Sequence, residues 1–378
     1  MRQIVVNHLK NIQGWKTDRK LLAFAVDDYG NVRLASRQAI QNLKEAEIKL
    51  KGRFDEFDAL DTKQDYDSLF NVLKKYNDKM GKHPVFSTYA LPCNINFEAS
   101  LNKKMYIPEN LDSTYKRMAV LFPEAYEGAF EMMLEGVKKS LLRPQFHGRE
   151  HLNTLIINKL FEINDSSLLT NLENLSMAGI SQLKEIPNIS FTQAFAFNDL
   201  SQTTHHDAIL IDGLTRFKEV YGYRSLTFTP PSQEFFTEKY PLLEELGVIG
   251  IHKGRRLERK NAEGEVFIEK AKTGVLKNQK HVSLVRNVVF EPTDYRGFDW
   301  VNFTIKQIEA AFFWNKPAII SSHRVNFCGH ISESNREVGL AALNQLFKIV
   351  LEKFPDVEFV GIDELTDIIW KENEYSNL

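Results

Sequence analysis

Leu21-Leu22-Ala23-Phe24-Ala25-Val26 is apolar at six consecutive positions and stops at two adjacent carboxylates, Asp27 and Asp28. A strand sends successive side chains to opposite faces, so a run with no polar member needs cover on both. Further strand candidates lie at 85–90, 143–146, 190–197, 225–228, 248–251, 318–321 and 357–360. Helical periodicity covers 33–49, 67–80, 113–122, 126–141, 153–164, 207–221, 303–314 and 334–354. In the last of these, Leu340, Leu343, Leu346, Phe347, Val350 and Phe354 recur at threes and fours and build one buried stripe.

Apolar strands separated by helices imply an α/β fold with a parallel sheet covered on both sides. Seven or eight such units favour a closed or nearly closed (β/α) barrel over an open doubly wound sheet. No GxGxxG or GKS/GKT pattern follows a strand, which excludes the common nucleotide cradles. The 378 residues then read as one elaborated barrel domain, with insertions near 49–66, 94–112 and 255–279. Forty-eight Lys and Arg against 50 Asp and Glu leave no surplus for nucleic acid, and the basic stretch 253–260 reads as a solvated loop. Cys93 and Cys328 belong to no CxxC pattern. The first eight residues turn polar too early for a signal-peptide core, and no apolar run reaches the ~18 residues that span a bilayer. The expectation is a cytoplasmic protein without a transmembrane segment.

In a parallel barrel the C-terminal strand ends carry the chemistry. Leaving Asp27 and Asp28 there without partners would be costly. Either they cap a helix and pair on the surface, or one ligates a metal while the other stays free as a base. His147-Gly148-Arg149-Glu150-His151 follows the strand at 143–146, and two histidines one helical turn apart direct both rings at one ion. One carboxylate and two imidazoles leave a position for water, as a catalytic zinc requires. Cobalt, nickel and manganese suit the same ligands. His323 ends a third strand, as a structural histidine or a general acid. His205-His206-Asp207 reads as a helix cap with solvated imidazoles.

Taken together, Asp27-Asp28, His147-xxx-His151 and His323 resemble the polysaccharide deacetylase family, the NodB-homology or family 4 carbohydrate esterases. The resemblance implies a distorted (β/α) barrel, Asp27 as base, Asp28, His147 and His151 as ligands of one divalent metal, and His323 as acid. It implies a hydrolase that removes an acyl group, N-acetyl first, from an amino sugar or glycan precursor. The chain departs from the family at Tyr29, which separates Asp28 from the usual glycine, and at Gly148, which replaces a serine or threonine. The arginine that orients the base is loosely echoed at Arg224, and an aspartate-tryptophan segment at Asp299-Trp300. Tyr29 and Arg324 complete the candidates for binding or orienting the substrate.

Two alternatives stand beside this. His147-x-x-Glu150-His151 also fits the HxxEH pattern of inverted zinc peptidases, with Glu150 as base, although Pro144, Phe146 and Gly148 disfavour the long helix that pattern needs. A catalytically silent glycan-binding member is the other, with Tyr89, Phe97, Phe228, Trp300 and Phe327 available to stack sugars. Long loops on the active side narrow a cleft, which points to a small or chain-terminal amino sugar.

Overall fold

The apolar run at 21–26 forms most of β1 (Lys20–Tyr29) in a computed structural model that describes residues 2–275, 280–294 and 297–376. Each of its six residues is at most 1% exposed. Leu22, Phe24 and Val26 pack into the large core beneath the helices, with Phe86 and Phe347. Leu21, Ala23 and Ala25 face a separate inner layer with Tyr89, Leu284 and Ile319. Two apolar faces thus meet two apolar layers, which is why this strand tolerates no polar residue until its end.

The remaining strands are β2 (Phe86–Ala90), β3 (Cys93–Ile95), β4 (Pro108–Asn110), β5 (Gln145–Phe146), β6 (Thr227–Phe228), β7 (Gly250–His252) and β8 (Arg256–Lys260). They continue with β9 (Val266–Lys270), β10 (Gly274–Val275), β11 (Val282–Leu284), β12 (Val288–Val289), β13 (Ala318–His323) and β14 (Val357–Phe359). The main sheet runs β10-β11-β7-β6-β5-β2-β1-β13-β12. Every neighbouring pair is parallel except β10–β11. β14 adds to the first residues of β1, at Lys20 to Leu22. Among the described residues no pairing joins β10 to β12, so the distorted (β/α) barrel is open. The C-terminal helix Ile362–Ser376 packs against β1, β6, β10 and β11. It sends Ile362, Leu365 and Ile369 into the inner layer.

The helix Glu333–Lys353 buries the expected stripe, with Leu343, Leu346, Phe347 and Val350 all fully buried. Residues 190–197 are turns, not a strand. Asn153 takes the place of a strand partner: its backbone N–H donates to Phe191 O, and its side-chain amide donates to the carbonyls of Gln193 and Ala196. The apolar content is satisfied by packing of Phe195 against Phe228 and Phe235.

Segment 49–66 holds the short helix Phe54–Phe57 and the capped start of the helix Lys63–Leu73. Segment 94–112 holds most of the β3–β4 hairpin around the helix Phe97–Lys103. Segment 255–279 carries the antiparallel β8–β9 hairpin, while its last four residues, 276–279, lie outside the described residues. The stretch 253–260 is not uniformly solvated. Lys253 and Arg259 are buried and share Glu269 at 3.1 and 3.0 Å. Among the described residues, no helix is long and apolar enough to cross a membrane.

Candidate metal centre

β1 does not end regularly. Its register against β2 shifts between Val26 and Tyr29, and Asp28 sits at φ 76°. A bulge re-aims side chains that would otherwise alternate, and a non-glycine residue in the left-handed region costs of order 1–3 kcal/mol. The strain sits where two neighbouring carboxylates must both serve the mouth of the barrel.

His147 follows β5, and its Nδ1 lies 2.7 Å from Thr229 O. A carbonyl only accepts, so Nδ1 carries the proton and the lone pair of Nε2 is left bare, as a metal-ligating histidine requires. That Nε2 is 3.4 Å from Asp28 Oδ1, and His151 Nε2 is 3.2 Å from the same oxygen. Tetrahedral bonds of ~2.0–2.1 Å place ligand atoms ~3.3–3.4 Å apart. The two edges, 3.4 and 3.2 Å, fall within ~0.1 Å of that range, and the three donor atoms lie within 4.8 Å of one another, so the donor set fits one divalent ion. Burial opposes ionisation of Asp28, yet the adjoining imidazoles of His147 and His151, with the charge of His323, hold its carboxyl well below the usual range.

The pair does not lie on a helical turn. Residues 147–153 form a loop that enters the helix Thr154–Glu162, capped by Asn153. The rings meet, 5.2 Å apart between centroids, because Gly148 turns the chain at φ 106°. A Cβ there would approach Glu150 O to 3.3 Å and Phe195 to 3.4 Å. Glu150 is 1% exposed and points away. It accepts from Arg149 Nε at 2.6 Å and Tyr106 Oη at 2.9 Å. The peptidase alternative, which needs Glu150 beside the metal, is contradicted.

Asp27 is not free. Both terminal guanidinium nitrogens of Arg286, Nη1 and Nη2, donate to it at 2.6 Å in a bidentate pair. Arg286 Nε also donates to His252 Nδ1 at 3.3 Å, and burial together with Arg286 keeps that ring neutral. Arg224 is thereby corrected as the orienting arginine: it is exposed, just before β6 rather than after it. His323 ends β13 with Nε2 4.0 Å from Asp27 Oδ2 and Nδ1 2.7 Å from Glu291 Oε1. Burial disfavours its charged form. The Glu291 carboxylate outweighs this, with help from Asp28 and Asp27, and raises its pKa to about 9. Glu291 in turn accepts from Asn326 at 2.8 Å and pairs with Arg53. Phe54, beside Arg53, sets its ring edge-on to His323 at 5.3 Å.

Other candidates are engaged elsewhere or lie beneath this mouth. Arg324 is fully buried, donating to Asp58 and to the carbonyl of Asn31. Tyr29 is 3% exposed inside the main core. Trp300 opens the helix Trp300–Phe313, packed on Phe298 and Phe303, and Asp299 caps that helix. Phe97, Phe228 and Phe327 are core residues, at most 3% exposed, and Tyr89, fully buried, packs beneath the site against His147, His252 and the Arg286 guanidinium, so none presents an exposed stacking platform. His206 is buried against Phe195, where burial lowers its pKa to about 4, so it is not a solvated imidazole. Arg286, Glu291, Arg53 and His252 escaped the sequence reading. The available signal was position, since His252 ends β7 and Arg286 and Glu291 each stand two residues beyond a strand.

No family model matches the chain, and no curated protein matches it. Solved structures with a similar course include a Mycobacterium smegmatis protein described as a polysaccharide deacetylase. It has 12% identity over 96% of this chain and 94% of that one, with a TM-score of 0.49. PuuE allantoinase has 10% identity over 93% and 91%, with a TM-score of 0.45. Peptidoglycan deacetylase PdaC from Bacillus subtilis has 11% identity over 95% of each chain, with a TM-score of 0.36. None of these values assigns an activity to this chain.

Proposed function

We propose that this chain is a metal-dependent hydrolase that removes an acyl group, acetyl first, from the nitrogen of an amino sugar or glycan precursor. One observation carries the reading. The Asp28, His147 and His151 donors share the barrel mouth with two differently partnered groups, Asp27 on Arg286 and His323 on Glu291. A divalent ion held by the three donors, zinc first, supplies Lewis acidity toward an amide carbonyl and a water. Asp27 accepts the proton of the attacking water, with its carboxylate fixed in orientation by Arg286. His323 Nε2 delivers a proton to the leaving amine nitrogen while Glu291 holds Nδ1. Arg53 and Phe54 wall the His323 side, which favours a small or chain-terminal amino sugar.

The test has two parts. Elemental analysis of purified protein is expected to find one divalent metal per chain and its loss in His147→Ala. Acetate release from a panel of N-acetylated monosaccharide, short oligomer and polymer is expected from wild type and fastest on the small members. A positioned acid or base contributes ~10²–10⁴-fold, so Asp27→Asn and His323→Ala are each expected to lose activity on that order while staying folded. Full metal retention by His147→Ala, or full turnover by Asp27→Asn, refutes the assignment. Metal at full occupancy with no release across the panel leaves a silent binding member instead.

A further inference from the structure

Six cations, Lys10, Arg255, Arg256, Lys270, Lys272 and Lys316, line one cavity of about 400 Å³, and none of its described lining residues is acidic. Elsewhere the buried cations have carboxylates: Arg286 has Asp27, Arg324 has Asp58 and Lys253 has Glu269. Here the charges face one another. Arg256 and Lys270 stand directly opposite across β8 and β9, a placement in which like charges destabilise a hairpin. Lys316 is 4% exposed and, among the described residues, donates to backbone, to the carbonyls of Gly14 and Trp15. Burial, then Lys16 and Lys272, lowers its pKa to about 8. Lys10, whose Nζ donates to the neutral Gln307 Oε1 at 2.7 Å, is lowered to about 8 by burial and by Arg255. Arg255, Arg256, Lys270 and Lys272 are exposed at the rim, but taking the charges of buried Lys316 and half-buried Lys10 out of water without a counter-charge is costly, and an anion from outside the chain offsets that cost.

We propose that this cavity binds a phosphate-type polyanion, of at least two negative charges. Leu9 and Ile12, also lining it, are 59% and 43% exposed, so the rim accepts an apolar portion attached to the anion. The same chemistry is offered by a soluble diphosphate and by an anionic lipid headgroup. The cavity is separate from the candidate metal centre. Val285 and Asn287 line it, while Arg286 between them turns to Asp27.

Calorimetric titration with inorganic pyrophosphate, and sedimentation with vesicles of phosphatidylglycerol or of phosphatidylcholine alone, test this on the full chain. The double variant Arg256→Glu/Lys270→Glu changes two exposed hairpin residues, and Lys10→Gln is a second, milder probe. Saturable pyrophosphate binding is expected, weakened at least ~10-fold by the double reversal and by raising salt, as for phosphate contacts generally. Sedimentation with phosphatidylglycerol but not phosphatidylcholine, lost in the double variant, identifies the headgroup as the source. Pyrophosphate binding without vesicle binding identifies a soluble ligand. Absence of saturable binding in both arms, or binding that neither variant weakens, overturns the proposal. The latter result also covers pyrophosphate captured by a metal at the barrel mouth.

Discussion

Two imidazoles at the barrel mouth meet opposite demands: His147 keeps Nε2 bare by donating from Nδ1 to Thr229 O, whereas His323, the acid of the proposed mechanism, has to keep its proton beside Glu291. Glu291 makes the second possible. With the His323 pKa raised to about 9, the acid form persists through neutral pH, and activity should fall as pH rises through about 9. Glu291→Gln removes the largest raising charge and leaves burial opposed only by Asp28 and Asp27, so the alkaline limb should move down toward ~6.5, the ordinary histidine value. That variant is expected to be roughly a hundredfold less active than wild type at a pH of about 8.5, and nearly equal at about 6, by the logic of protonated fractions. A pH profile of kcat/KM checks it, and an unmoved alkaline limb would remove His323 as the acid. The sign for stability follows the same shift. A folded pKa above the unfolded one stabilises fully below ~6.5, and that contribution is lost as pH rises through about 9.

At the level of elements, two irregular strand ends build the site. The bulge at Asp28 closes β1, and the loop after β5 depends on Gly148 at φ 106°. Gly148→Ala is expected to cost ~1–3 kcal/mol, the range for a residue forced into such backbone, and to lower metal occupancy because His147 and His151 would part. Urea midpoints and elemental analysis read the two effects, and a variant matching wild type in both would show the loop to be tolerant. What the sequence made legible follows the same division. Long apolar runs ending in titratable groups disclosed β1, β13, Asp27, Asp28 and His323, because both faces of those strands are buried. The histidine pair was legible, but its geometry was not. Spacing alone cannot distinguish a helical turn from a loop built on one glycine. Arg286 and Glu291 follow β11 and β12, strands of three and two residues, too short to leave a period. Arg286 is 259 positions from Asp27, and no local pattern encodes such a pairing. Arg224 was misplaced because it precedes its strand, at the end of the barrel away from the mouth.

Across the whole molecule, the open sheet raises the question of what holds β1, β6 and β11 at the curvature the site needs. Strand pairing does not close the ring among the described residues, so the inner layer has to carry that load. Leu21, Ala23, Ala25 and Ile319 come from the centre of the sheet, Val282 and Leu284 from one side, and Leu365 and Ile369 from the C-terminal helix. The helix thus joins strands that do not pair with one another, through this apolar packing together with polar anchors, Ile362 N–H donating to Ser87 Oγ at 2.8 Å and Arg143 Nε to Asp363 at 2.6 Å. Leu365 is fully buried, and a buried leucine cut to alanine typically loses ~2–5 kcal/mol through transfer and cavity terms. Leu365→Ala is therefore expected to lower the stability of the whole chain by that amount in urea unfolding. Val120→Ala, at a site 82% exposed, should stay within ~0.5 kcal/mol. The candidate donors Asp28, His147 and His151 lie on β1 and in the loop after β5 rather than in the inner layer, so under the proposed function folded Leu365→Ala protein should still hold one metal per chain. If Leu365→Ala unfolds at the wild-type midpoint, the helix is a surface addition and the sheet keeps its curvature unaided.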